Sequence, residues 1–135
     1  MYTKEDMHQL YTTAVNMKLS GAHLLNTSDA YKYCNGLGAE WMPEMLRDAL
    51  SMLNPTLDPV VAIHDQRYEI GGSEEDRDAA DKEFLENGLK AADYEYGWYN
   101  PLRYYVRKQA RKYYALLSMF GGAAWRYTEE DETSN

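Results

Sequence analysis

The chain has 135 residues, a length suited to one domain, and its single cysteine, Cys34, excludes an intramolecular disulfide. A net charge of −8 argues against nonspecific nucleic-acid binding, and no apolar run approaches the roughly 18 residues that would span a bilayer. The opening residues, MYTKEDMHQL, carry mixed charge without the apolar stretch of a secretory leader, which points to synthesis in a cytosol.

Five segments read as helices and none as a long strand, so the chain is expected to be all-α. The first runs from about Lys4 to Leu25, with Leu10, Ala14, Met17 and Gly21 as its apolar stripe. A loop rich in turn formers follows, NTSDAYKYCNGLGAEWM. The second helix starts at Pro43 and ends at Asn54-Pro55. Asp58 as N-cap and Pro59 in the first turn open the third, which stops at Gly71-Gly72. Ser73 caps the fourth, whose first turn carries Glu74, Glu75 and Asp76, matching the positive end of the helix dipole. Gly88 weakens this helix without breaking it. Asn100-Pro101 opens the fifth, which ends near Gly121-Gly122. Residues 1–127 are read as one helical domain, and the acidic stretch 128–135 as a disordered tail. The short link between the third and fourth helices predicts an antiparallel hairpin.

Chemistry concentrates on that hairpin. His64 shares a helical face with Val60, Val61 and Tyr68, while Asp65 points about 100° away. On the fourth helix, Asp81 shares the face of Phe84, Leu85, Gly88 and Leu89. Each helix therefore turns one ionisable group inward. Burying an unpaired carboxylate is costly, so a His64–Asp81 hydrogen bond is predicted, with Tyr68 donating to the same carboxylate. Either residue taken alone reads more simply as an ordinary core histidine or a surface acid. Ahead of the hairpin, Gly36 and Gly38 lie in YKYCNGLGAEW, where glycines let backbone carbonyls converge on a hard cation; Asp65 is the natural carboxylate partner. The twelve-residue acidic loop of an EF-hand is absent.

Asn35–Trp41 (NGLGAEW), Ile63–Tyr68 (IHDQRY) and the following GGSEEDRDAADKEFL together resemble the phospholipase A2 superfamily, most closely its compact, disulfide-poor viral and phage-type branch. The likeness covers roughly residues 33–89. It implies a Ca2+-dependent hydrolase that cleaves the sn-2 ester of glycerophospholipids at a membrane or micelle surface. By that resemblance His64 is the general base, Asp81 orients it and Tyr68 braces Asp81. Asp65 and the carbonyls of Cys34, Gly36 and Gly38 hold Ca2+, and the Gly36 amide assists the oxyanion. A virion or host-cytoplasm location is implied by the same likeness. Ala39 stands where secreted members carry a further glycine, and the segment IGGS joins the two helices directly. The competing reading is a non-catalytic structural or interaction protein, such as a virion component, that keeps the fold without turnover.

The fifth helix places Leu102, Tyr105, Val106, Ala110, Tyr113, Leu117 and Phe120 near one stripe, with Arg103, Arg107, Lys108, Arg111 and Lys112 mainly on other faces. A core helix with a solvated basic face is the favoured reading, and an interfacial lipid-binding helix the alternative. Trp41, Met42 and Met45 read equally as a second candidate rim for an acyl chain or as core residues.

Overall fold

The computed structural model describes residues 3–26 and 44–127. Five α-helices make up most of this: α1 (Lys4–Asn16), α2 (Glu44–Ser51), α3 (Asp58–Ile70), α4 (Glu74–Glu95) and α5 (Pro101–Phe120). Among the described residues there is no strand, only an isolated parallel bridge between Gly72 and Tyr127. The all-α expectation holds. The glycine loop and the acidic tail lie outside the described residues.

Local chemistry explains most helix ends. Thr3 and Asp6 form a reciprocal capping box at the start of α1, and Ser73 with Asp76 repeats it at α4. Asn100 caps α5 by accepting the Leu102 amide at 3.0 Å. Gly71, at φ +72°, closes α3 with its amide on the Arg67 carbonyl.

Two expected boundaries are corrected. The first helix does not reach Leu25: α1 stops at Asn16, the chain turns through left-handed Lys18 and Gly21, and Ala22–Leu25 forms a 3₁₀ turn. The cause is tertiary. Buried Asn87 of α4 holds Ser20 by both backbone groups, accepting its amide and donating to its carbonyl, each at 2.9 Å. Continued helix would need that amide for its own ladder. Asp58 is not the N-cap of α3. Pro55–Leu57 is already a 3₁₀ turn running into the helix, and Asn54 caps that turn by accepting the Thr56 amide. Pro43, the expected start of the second helix, is outside the described residues.

α4 packs against both α3 and α5. Across α3 and α4, Leu57 meets Gly88 while His64 meets Asp81, so the partners run in opposite order and the pair is antiparallel. Across α4 and α5, Phe84 meets Tyr113, Gly88 meets Ala110 and Asp93 meets Arg107, again antiparallel. The main core gathers Leu57, Val60, Ile63, Phe84, Val106 and Leu117, with Met7 and Ala14 of α1 closing it. A smaller cluster of Tyr68, Ala80 and Trp125 seals the hairpin end. There residues 121–127 fold back as a strap. Gly72 donates to the Arg126 carbonyl, Arg126 to the Tyr68 carbonyl, and the Trp125 indole to the Gly72 carbonyl at 3.0 Å.

The fifth helix is a core helix, as favoured. Val106, Ala110, Tyr113 and Leu117 are buried, whereas Leu102 and Tyr105, expected on the same stripe, are 45% and 51% exposed. Arg103 and Arg107 both pair with Asp93. Among the described residues no helix is long and apolar enough to cross a membrane.

Candidate functional site

The antiparallel pairing brings His64 and Asp81 together deep in the hairpin. His64 Nε2 lies 2.9 Å from Asp81 Oδ1, and the Tyr68 hydroxyl donates to the same oxygen at 2.7 Å. His64 is 6% exposed and Asp81 2%. Helical spacing makes this possible, since Tyr68 sits one turn after His64 and reaches the same point on α4. A carboxylate only accepts hydrogen bonds. A neutral imidazole that donates from Nε2 to the Asp81 carboxylate keeps its lone pair on Nδ1.

Aromatic rings enclose the imidazole. Tyr68 lies 4.3 Å away centroid to centroid and tilted by 40°, and Phe84 meets it edge-on at 5.4 Å. Trp125 packs edge-on against Tyr68 at 5.0 Å, and Tyr113 lies tilted by 48° against Phe84 at 5.2 Å. Burial, then the charge and hydrogen bond of Asp81, push the Tyr68 phenol well above its ordinary range, while the nearby Arg77 guanidinium works in the opposite direction. Burial also raises the Tyr113 phenol, helped by the charges of Asp65 and Asp81. Tyr68 and Tyr113 thus remain protonated hydrogen-bond donors across the neutral range.

Three of these neighbours escaped the sequence reading as site residues. Arg77 sits one turn before Asp81 on α4, and its Nε and Nη2 are held by Glu74 at 3.0 and 2.6 Å. That i,i+4 spacing to Asp81 was a usable signal. Tyr113 was read only as part of an apolar stripe. Trp125 arrives by the folding back of the strap, which no periodicity announces.

Asp65, the expected metal carboxylate, is half-buried on α3 one step past His64. Its expected partners Cys34, Gly36 and Gly38, along with Ala39, Trp41 and Met42, lie outside the described residues, and so does the Met45 side chain. Asp65 would offer one carboxylate toward the six to eight oxygens that Ca2+ takes, so such a site fits only if the loop carbonyls supply most of the shell. Among the described residues no group of three or more His, Cys, Asp or Glu side chains is placed to hold a metal ion. His8 and His23 are exposed. No family model, no curated protein and no solved structure matches this chain.

Proposed function

We propose that this chain is a Ca2+-dependent hydrolase of the phospholipase A2 type, cleaving the sn-2 ester of glycerophospholipids at a lipid surface. One observation carries the reading: His64, Asp81 and Tyr68 form a buried base, orienting carboxylate and bracing hydroxyl with one shared oxygen. The family assignment itself rests on the likeness of the residues. In this reading the Nδ1 lone pair of His64 takes a proton from a water whose oxygen bonds to the ester carbonyl carbon. Asp81 stabilises the imidazolium so formed, and Tyr68 holds Asp81 in place. The proton then passes to the departing glycerol oxygen, leaving a lysophospholipid and a fatty acid. Ca2+, when held by Asp65 and the carbonyls of Cys34, Gly36 and Gly38, would supply positive charge at the ester carbonyl, with the Gly36 amide beside it.

The test is fatty-acid release from mixed phospholipid vesicles, with Ca2+ and with chelator. Release should need Ca2+ and should fall by about 10²–10⁴-fold in His64→Ala, the usual worth of a general base. Absence of release, or release unchanged in His64→Ala, overturns the proposal.

A second reading is favoured by the burial of the site, His64 being 6% and Asp81 2% exposed. Here the trio is a polar clamp in a structural protein. Such a clamp gives no turnover and no Ca2+-dependent rise in melting temperature, whereas a working ion site gives both.

A further inference from the structure

Between α2 and α5 runs a groove of about 220 Å³ that plays no part in the proposed reaction. Ala49 of α2, Leu53 just past its end and Tyr113 of α5 give it an apolar interior, and Met52 and Tyr105 stand at its edge, 70% and 51% exposed. Gln109 holds the two walls in register. Its Oε1 accepts the Asn54 amide at 2.9 Å and its Nε2 donates to the Met52 carbonyl at 2.8 Å. The groove is therefore built by specific bonds.

Its charge is one-sided. Lys108 and Lys112, one turn apart on α5, both line it, and among the described residues no Asp or Glu does. Arg103 and Arg107 are occupied by Asp93, but neither lysine has a carboxylate partner among the described residues. In a chain of net charge −8, two cations without a carboxylate partner among the described residues, set beside an apolar trough, select a ligand that is apolar along its length and anionic at one end.

We infer that the α2–α5 groove is a binding site for a single-chain anionic amphiphile of the fatty-acid type, the chain lying on Ala49, Leu53 and Tyr113 and the headgroup between Lys108 and Lys112. The site is separate from the His64–Asp81 pair. The Phe84 ring stands between them, edge-on to His64 on one side and tilted against Tyr113 on the other. The inference does not rest on the hydrolase reading.

Decanoate below its micelle concentration is the probe, titrated into the full chain and followed by amide chemical shifts. Decyltrimethylammonium and acetate serve as the chain without the anion and the anion without the chain. Decanoate should bind and shift residues 49–53 and 105–113, with both controls at least tenfold weaker. Lys108→Glu/Lys112→Glu, both at exposed positions, should weaken decanoate about tenfold or more. Ala49→Trp, which fills the trough, should abolish it. Absence of decanoate binding, equal binding of the cationic amphiphile, or affinity unmoved by the charge reversal overturns the site. Loss in the charge variant with full binding in Ala49→Trp leaves a surface anion site and overturns the groove. Sedimentation with anionic vesicles without decanoate binding makes the face a membrane-docking surface and equally refutes the proposal.

Discussion

Tyr68→Phe isolates one hydrogen bond at the centre of the molecule. The hydroxyl donates to Asp81 Oδ1 at 2.7 Å, with Tyr68 8% and Asp81 2% exposed. It is packed against Gly121, where a Cβ would collide with it. Hydrogen bonds to charged groups contribute about 1.5–3 kcal/mol, and losing one here leaves the buried Asp81 carboxylate leaning on His64. Some of the loss is offset because phenylalanine has no hydroxyl to desolvate. A net cost of about 2 kcal/mol follows. For a chain of this size each kcal/mol moves the melting midpoint by about 3–5 °C, so the variant should melt about 6–10 °C lower. Thermal melts by circular dichroism, with urea unfolding to check that the slope is unchanged, measure this directly. A midpoint indistinguishable from wild type would show that Asp81 does not depend on Tyr68, and the bracing role would be abandoned.

The raised phenols of Tyr68 and Tyr113 make stability fall in alkali. In the unfolded chain both lose their protons near pH 10, while the folded chain keeps them to higher pH. Stability is therefore complete below about pH 10 and is lost as pH rises toward the folded values, at about 1.4 kcal/mol per pH unit for each group. Urea titrations between pH 9 and 11 (about one unit either side of the ordinary phenol value) should show the slope roughly halved in Tyr113→Phe; an unchanged slope would locate the effect elsewhere. Gly88→Ala improves helix propensity by about 1 kcal/mol, yet its Cβ would lie 2.6 Å from Ala110 Cβ, and overpacking costs about 1–3 kcal/mol. It should destabilise, and Gly88→Ala/Ala110→Gly should recover most of the loss; a more stable single variant would refute the close crossing. Trp125→Ala removes the ring against Tyr68 and the bond to Gly72, and should cost about 3–5 kcal/mol by urea unfolding. A loss near zero would mean that the strap does not seal the hairpin.

How much was legible in advance depended on whether a signal was local. Ser73, Asn100 and Gly71 act within a few residues of themselves, and their caps were read correctly from type and position. His64, Tyr68 and Asp81 were also legible, because an inward polar group on each of two joined helices leaves pairing as the economical solution. Arg77 and Tyr113 were partly visible, as a residue one turn from Asp81 and as a hydroxyl in an apolar stripe. Asn87, Trp125 and the meaning of Gly88 were not, since each acts on a segment far away in sequence.

The sequence by itself therefore determined the helical class, the hairpin and its polar trio, for all of these follow from periodicity of about 3.6 residues and from short-range capping. Only the tertiary structure decided the rest. It ended α1 at Asn16, because Asn87 takes the Ser20 backbone that a longer helix would need. It required a glycine at 88, because α5 crosses there at Cβ contact distance. It left Lys108 and Lys112 beside an apolar trough, because Asp93 claims the neighbouring arginines and no acid among the described residues lines the groove. In each case the deciding partner lies on another element, and periodicity along one helix carries no information about which element will arrive opposite.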